Sequence, residues 1–272
     1  MIERNSIQNR IKDFKIIDTH LHLGYLSGLN MPQEPDSAII GQYKKYGISK
    51  AIFSHHYAIS SVEFGHRCTM HALEKYKGNF FAYLVFNPNF EKKSLDIINE
   101  YANHEAVAGV KIHPSWHSCY PYDERYSKFL EFADNEGLIV LTHSWNPNVP
   151  NKSQKFSDPV MFEKIAKARP GVKIILAHAG GRGDYLYKVI DLIINNDNLY
   201  VDFAGDIFEP FLVRDYVKRA GSEKLLFGTD LPWLDIRYYL SNILNAEISD
   251  IDRANIFGLN ASRLFEKIKL FS

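Results

Sequence analysis

Eight short apolar runs recur along the chain, and longer stretches of mixed polarity separate them. We predict strands at 14–18, 50–54, 80–86, 107–112, 138–142, 172–177, 199–203 and 225–228. Most of these runs are continuously apolar rather than alternating, which is typical of parallel strands buried on both faces. The pattern therefore predicts a parallel sheet covered by helices.

The stretches between the runs have the spacing of amphipathic helices. In one of them an apolar face is formed by Leu186, Val189, Ile190, Ile193 and Ile194. Glycines at 47, 78, 137, 171 and 221 stand shortly before predicted strands, where a left-handed residue commonly ends a helix. Eight strand–helix units predict a (β/α)8 TIM barrel, and a doubly wound open sheet is the competing arrangement. We predict a single domain over 1–272, with an extra C-terminal helix at 250–271.

Composition and charge narrow the class of protein. The chain has 272 residues, a formal net charge of +0 and 46% apolar residues. Without a basic excess, binding to nucleic acid or to an anionic membrane surface is not expected. Cys68 and Cys119 are isolated in the sequence, and no apolar run approaches the ~18 residues of a membrane span. The expectation is a cytoplasmic protein that acts on a small molecule.

Histidines concentrate where the predicted strands end. Eight of the eleven histidines lie at a strand end or just beyond it: those at 20, 22, 55, 56, 113, 117, 143 and 178. Lys111, Asp202 and Asp230 occupy similar positions. In a TIM barrel, the C-terminal ends of the strands carry the chemistry. His20 and His22 share one face of a strand, and the later strand ends supply further metal ligands.

Taken one at a time, these residues have plain structural alternatives. An isolated His-x-His pair is more often a hydrogen-bonded structural pair than a metal site. His143 alone is as easily a packed core histidine, and Asp230 alone is more often a turn cap. Arg182 follows two glycines near a predicted helix start, where it either binds an anion or is a solvated loop residue. The positions support a metal site only as a set.

Five motifs carry a resemblance to the amidohydrolase superfamily. They are D-T-H-L-H at 18–22, G-V-K-I-H-P at 109–114, L-T-H-S at 141–144, L-A-H-A-G-G at 176–181 and F-G-T-D-L-P at 227–232. Within the superfamily, the chain resembles the amidohydrolase-related branch that includes aminocarboxymuconate-semialdehyde decarboxylase. The resemblance implies a distorted (β/α)8 barrel.

The resemblance also implies roles for individual residues. His20, His22, His143 and Asp230 match the ligands of one divalent metal ion, for which we expect zinc, with manganese as another possibility. His178 and Asp230 match catalytic residues that move protons, and the alternative for His178 is a ligand of a second metal, its role in binuclear relatives. Lys111 matches a lysine that is carboxylated in binuclear relatives, although pairing with a substrate carboxylate or an internal ion pair is favoured here. Lys111, His113, Arg182 and Trp116 are the candidate substrate-binding residues.

These residues lead to three functional hypotheses. The first is a metal-dependent hydrolase in which activated water attacks the carbonyl of a small, carboxylated ester, lactone or amide. The second is a metal-dependent, non-oxidative decarboxylase of an unsaturated or aromatic acid. The third, a catalytically silent barrel used for binding, would be expected to lack some of the ligands. A homodimer is an open possibility.

Overall fold

The computed structural model describes residues 7–26 and 35–266. Eight parallel strands follow one another in chain order: β1 (Ile17–Leu23), β2 (Lys50–His55), β3 (Phe80–Val85), β4 (Val107–Ile112), β5 (Ile139–Thr142), β6 (Lys173–Leu176), β7 (Leu199–Asp202) and β8 (Leu225–Leu226). Each strand pairs with the next in parallel register. The predicted alternation of strands and helices is confirmed.

Helices connect and cover the strands. They are α1 (Ile7–Ile11), α2 (Pro35–Tyr46), α3 (His56–Ser60), α4 (Val62–Lys75), α5 (Glu91–Tyr101), α6 (Pro114–His117), α7 (Ser127–Glu136), α8 (Met161–Ala168), α9 (Tyr185–Asn195), α10 (Leu212–Ala220), α11 (Ile236–Leu244), α12 (Asp250–Ala254) and α13 (Asn260–Leu264). None of these described helices combines the length and apolar character needed to cross a membrane.

The last strand closes the barrel through an irregular seam. Beyond β8 the chain runs beside β1, and the Thr19 amide donates to the Phe227 carbonyl over 2.9 Å. The Asp230 amide donates to the His20 carbonyl over 2.7 Å, and the His22 amide donates to the Leu231 carbonyl over 2.8 Å. These bonds join the two ends of the sheet. The predicted TIM barrel is therefore confirmed over the open-sheet alternative.

Two apolar layers hold the barrel together. The larger layer lies between the strands and the surrounding helices. The smaller one fills the barrel interior, where Ile17, Phe81 and Ile139 pack with Leu264 and Phe265 from the end of the described chain. Burying such side chains stabilises the fold by about 25 cal/mol for each Å² of apolar surface removed from water. The N-terminal end of the barrel is thus plugged, and the C-terminal end remains open for a site.

Some predicted boundaries were wrong. The first strand was expected at 14–18 but spans Ile17–Leu23, so both histidines of the motif lie inside it. The C-terminal helix is broken, because a π-helical turn at Asn255–Leu259 separates α12 from α13, and residues 267–272 lie outside the described chain. The π turn brings Gly258 against the backbone of Lys15, where a Cβ would come within 2.3 Å of a carbonyl oxygen. The single-domain assignment stays a prediction.

Candidate metal centre

His20 and His22 project from β1 on one face, as their spacing predicted, and Asp230 reaches them from the loop after β8. The Asp230 Oδ1 atom lies 3.5 Å from His20 Nε2 and 3.1 Å from His22 Nε2. One donor atom from each residue lies within 4.8 Å of the other two. His20 and His22 are almost completely buried, at 0% and 5% exposure. Three side chains that could bind a metal therefore converge at the open end of the barrel.

The second nitrogen of each imidazole is already engaged. His20 Nδ1 lies 2.9 Å from Asp202 Oδ2, and His22 Nδ1 lies 3.2 Å from the Ser54 carbonyl oxygen. The Asp202 carboxylate and the Ser54 carbonyl only accept hydrogen bonds, and a proton on each Nδ1 satisfies them. The Ser54 hydroxyl, whose oxygen is 3.0 Å from His22 Nδ1, can then act as a further acceptor. Both Nε2 atoms therefore present lone pairs toward Asp230. Such a partner on the far nitrogen is typical of metal-ligating histidines.

The chemistry of this donor set fits a cation. With both protons on Nδ1, the two Nε2 atoms and the Asp230 carboxylate are all acceptors that face one another. Burial lowers the pKa of His22 to about 3 and that of His20 well below its ordinary value, and the Lys111 ammonium lowers both further. The neutral, metal-binding form of each imidazole is thus favoured. Neutral imidazole and carboxylate are ligands that suit zinc and related divalent ions.

Lys111 lies beside the His20–His22–Asp230 cluster. Its Nζ is 3.2 Å from His20 Nε2, and the residue is 1% exposed. Burial lowers the pKa of Lys111 to about 8, and the carboxylates of Asp230 and Asp202 oppose that shift. The buried ammonium therefore faces the buried carboxyl of Asp202 and the partly exposed carboxyl of Asp230. Burial raises the pKa of both carboxyls, and Lys111 opposes the shift. With all three groups ionised, their summed formal charge is −1, and a divalent cation would change it to +1.

Asp18, in the same motif as the two histidines, fixes the loop that carries Asp230. Its Oδ1 accepts from the amides of His20 (3.0 Å) and Thr229 (3.2 Å). Its Oδ2 accepts from Thr229 Oγ1 (2.5 Å) and from the Tyr43 hydroxyl. The carboxylate thereby ties β1 to the residue that precedes Asp230. Sequence reasoning gave Asp18 no role, although its place in the D-T-H-L-H motif was a signal.

His143 lies in the same pocket but outside the three-residue cluster. Among the described residues, His143 belongs to no group of three or more His, Cys, Asp or Glu side chains whose possible ligand atoms all lie within 4.8 Å of one another. Its Nε2 is 3.0 Å from Gln154 Oε1, and its ring stacks on that of His113 with 4.2 Å between centroids. The role of His143 as a ligand stays a prediction. Gln154 was missed, because nothing in the sequence distinguishes it from other loop residues.

His178 lies beside the cluster and is the second residue after the end of β6. Its ring centroid is 5.0 Å from that of His20 and 5.1 Å from that of His143. Its Nδ1 is 3.1 Å from the Ala204 carbonyl oxygen, so Nδ1 donates and Nε2 has the lone pair. Burial lowers the pKa of His178 well below its ordinary value, as do His20 and His143. His178 also forms a second group of possible metal ligands with His20 and Asp202, whose donor atoms all lie within 4.8 Å of one another. Its roles as a proton-handling residue and as a ligand of a second metal both stay predictions.

The two candidate catalytic residues share an unusual backbone conformation. His178 has φ +61° and Asp230 has φ +55°, both in the left-handed region that favours glycine. Residues held in this region are strained, and they cluster at functional sites. Gly205 makes room for the His178 ring, since a Cβ there would lie 2.4 Å from His178 Nδ1. The fold thus accepts local strain to place these two side chains.

A pocket of about 250 Å³ opens above the cluster. Its floor includes His22, Lys111 and Asp230, and its lining includes three tryptophans, namely Trp116, Trp145 and Trp233. His113 lines the same pocket, and its Nδ1 accepts from the Trp116 amide over 3.3 Å. The predicted site residues at the strand ends therefore share one concave, partly aromatic space with the metal cluster.

Arg182 lies at the edge of this space. Its guanidinium forms an ion pair with Asp206 and sits 5.9 Å from the centroid of the Trp145 ring. Its side chain is half exposed, whereas Asp206 lines the pocket. An arginine already paired with a carboxylate has less charge to offer a substrate. Substrate binding by Arg182 and Trp116 stays a prediction.

Comparisons with known proteins give the family and the fold. The family model described as amidohydrolase matches residues 17–267. The γ-resorcylate decarboxylase of Polaromonas sp. strain JS666 is 28% identical over 126 residues, which are 39% of this chain and 36% of that protein. The alignment thus spans about a third of the relative's length.

Solved structures share the fold. The 2,6-dihydroxybenzoate decarboxylase of Rhizobium has a TM-score of 0.74 and 15% identity, and the match covers 93% of this chain and 99% of that one. A dihydroxybenzoic acid decarboxylase of Polaromonas sp. JS666, with bound manganese and the inhibitor 2-nitroresorcinol, has a TM-score of 0.68 and 16% identity, with 93% and 97% covered. At these identities the likeness concerns the fold.

Proposed function

The chain belongs to the amidohydrolase family of enzymes, and we propose that it is a metal-dependent, non-oxidative decarboxylase of a small aromatic acid. The observation that carries the proposal is the pocket whose floor holds the His20–His22–Asp230 cluster and Lys111, and whose walls include three tryptophans. A flat, anionic ring suits such a space. The partial match to a γ-resorcylate decarboxylase supports decarboxylation over hydrolysis, the first expectation from the sequence.

Decarboxylation replaces a carboxylate by a proton. A proton is added to the ring carbon that bears the carboxylate, the bond between that carbon and the carboxylate breaks with its electron pair returning to the ring, and carbon dioxide leaves. A divalent ion held by His20, His22 and Asp230, with His143 as a further ligand, would supply a Lewis acid for substrate oxygen atoms. We propose manganese or zinc for this ion.

The protein's own groups would perform the remaining tasks. The Lys111 ammonium lies on the pocket floor, where it balances the charge of the substrate carboxylate. The His178 Nε2 atom, opposite the nitrogen bound to Ala204, is the position from which a proton is held or delivered. Trp145 stacks on the ring of His143, meets the ring of His178 edge to face, and limits access of water. His113 and Trp116 complete the wall on the β4 side.

A direct assay distinguishes the two chemistries. The manganese-loaded protein would be incubated in water enriched in deuterium and ¹⁸O with 2,6-dihydroxybenzoate labelled with ¹³C in its carboxyl group, and in parallel with aryl esters and lactones. We expect labelled carbon dioxide, one deuterium on the product ring and no ¹⁸O in the aromatic product. A His178→Asn variant should keep its metal and lose about 10²-fold in turnover. Incorporation of ¹⁸O into a product acid, without release of carbon dioxide, would instead establish a hydrolase.

A further inference from the structure

A second cavity, of about 240 Å³, lies between the end of β2 and the helix α4, and its described lining has no residue in common with the metal pocket. We call it the β2–α4 cavity. Adjacent residues serve the two spaces, because His56 lines the metal pocket and His55 lines the β2–α4 cavity. Gly24 lies against both rings: its carbonyl accepts from His56 Nδ1 over 2.8 Å, and a Cβ there would come within 2.3 Å of His55 Cε1. The position of the His55 ring is thus set by the backbone around it.

The imidazole of His55 offers a hydrogen-bond donor to this cavity. Its Nδ1 accepts from the Tyr57 amide over 3.3 Å. Burial lowers the pKa of His55 to about 4, so the ring is neutral and its proton is on Nε2. His55 is only 5% exposed, and Nε2 has no hydrogen-bond partner among the described residues. Unlike Nε2 of His56, this atom keeps some accessible surface, so a ligand in the cavity can accept from it.

One face of α4 adds positive charge to the same cavity. Arg67, His71 and Lys75 are spaced by four residues, so they follow one another along the helix, and all three line the cavity. Within the described part of the chain Arg67 has no ion-pair partner, and its guanidinium carbon lies 5.9 Å from the centroid of the Phe64 ring. Arg67 and Lys75 outweigh Asp36, a carboxylate that also lines the cavity, by one formal charge. The cavity therefore favours an anion.

The arrangement of the donors favours one class of anion. They come from the end of a strand, at His55, and from successive turns of a helix, at Arg67 and His71. A phosphate presents three terminal oxygens in different directions, whereas a flat carboxylate presents two. A guanidinium also matches a pair of phosphate oxygens. The Asp36 carboxylate opposes an anion only in part, because its Oδ1 already accepts from the Gly24 amide over 2.9 Å.

We propose that the β2–α4 cavity binds a phosphate group, either as inorganic phosphate or as the phosphate of a small monoester. Arg67 and Lys75 supply the charge, and His55 Nε2 donates to one phosphate oxygen. The volume of about 240 Å³ leaves room for a small organic group beside the phosphate. The site is separate from the metal pocket and does not depend on the proposed reaction.

Titrations of the zinc-loaded, full-length protein test this site. Inorganic phosphate, glycerol 3-phosphate and acetate would be added at equal ionic strength and followed by calorimetry. At least one of the two phosphates should bind with a Kd below roughly 1 mM, and acetate should bind about 10-fold more weakly or less. Tighter binding of glycerol 3-phosphate would identify a monoester site, and tighter binding of the free ion a site for inorganic phosphate. The ¹H and ¹⁵N signals of the His55 Nε2–H group should shift with the same Kd.

Two variants of exposed residues separate the site from general charge effects. Arg67→Met keeps most of the side-chain stem, removes the charge and should weaken phosphate binding about 10-fold or more. Arg67→Lys should recover part of the affinity. Lys92→Met, on α5 and outside the described lining of the cavity, removes the same charge and should change the affinity by less than about 2-fold.

Four results would overturn the inference. They are binding of neither phosphate, acetate that binds as tightly as phosphate, an equal loss of affinity in Arg67→Met and Lys92→Met, and phosphate binding without a shift of the His55 signals. The last result would place the phosphate elsewhere, for example on the bound zinc.

Discussion

The two sides of the metal pocket are built differently. On the β1–β8 side, His20, His22 and Asp230 each have a second, buried contact that fixes them, to Asp202, Ser54 and the His20 backbone respectively. On the β5 side, His143 is held by Gln154, which lies in the 3₁₀ segment Lys152–Ser157 of a long loop. The first side holds its three candidate ligands in position through protein contacts alone. The second is arranged around a hydrogen bond that a metal would replace.

The two sides should therefore contribute differently to the affinity of the site for a metal. A ligand that is already oriented loses little freedom when it coordinates, and removal of its orienting partner usually weakens metal binding. A ligand that must exchange partners pays for the bond it gives up. Perturbations of the seam should therefore have larger effects on the metal than perturbations of the β5 loop.

The largest effect is expected at Asp18. Asp18→Asn removes the charge that binds the Thr229 hydroxyl and the Tyr43 hydroxyl, so the Asp230 loop should loosen. We expect manganese affinity to fall about 10- to 100-fold by calorimetry. Tyr43→Phe, which removes one of the four donors to Asp18, is the matched control and should lose much less. If both variants lost thermal stability but bound manganese normally, Asp18 would be a structural residue without influence on the centre.

A smaller effect, on turnover alone, is expected at Gly205. In Gly205→Ala the new methyl group would lie 2.4 Å from His178 Nδ1 and would push the ring away from the Ala204 carbonyl. Decarboxylation should slow by about 10-fold or more, because a displaced proton donor is costly, while manganese affinity remains. Gly205 has φ +82°, so alanine there is also strained by its backbone. Gly78→Ala, at φ +91° with no atom within 4 Å of the added carbon, controls for that strain. Unchanged turnover in Gly205→Ala would remove His178 from the reaction.

The smallest effect is expected at Gln154. Gln154→Ala frees His143 Nε2, so manganese affinity should stay the same or rise by at most a few-fold, within the ~1 kcal/mol of one hydrogen bond. His143→Ala provides the comparison and should weaken binding if His143 is a ligand. A strong loss of affinity in Gln154→Ala would show that the β5 side is as preorganised as the seam, which would erase the difference between the two sides.

The sequence was sufficient for the architecture and for the inner cluster. Continuous apolar runs predicted parallel strands, and the spacing of His20 and His22 predicted one shared face. The resemblance to the amidohydrolase superfamily added Asp230, which lies 208 or more positions from the histidines. The spacing of His20 and His22 on one strand face carried most of this information. Side chains alternate between the two faces of a strand, and the C-terminal ends of the strands meet at one end of the barrel. The direction of a residue at a strand end can therefore be predicted from its position.

The remaining features depend on contacts that no local pattern encodes. Gln154 reaches His143 from an irregular loop, and the partners of Asp18 come from α2 and from the seam. The proton positions on His20, His22 and His56 follow from carbonyl and carboxylate neighbours that are distant in sequence. The first strand continues past its apolar run to Leu23. Its end was predicted too early because His20 and His22 are polar residues inside a buried strand.

The metal content of the protein shows whether His20, His22 and Asp230 form a metal centre. Protein purified without chelators, stripped and reloaded with manganese or zinc, would be analysed by mass spectrometry beside a His20→Ala variant of equal thermal stability. We predict about one divalent ion per chain in the unmodified protein and a loss of that ion in the variant. An unmodified protein that takes up neither metal, or a His20→Ala variant that retains its ion, would contradict the account.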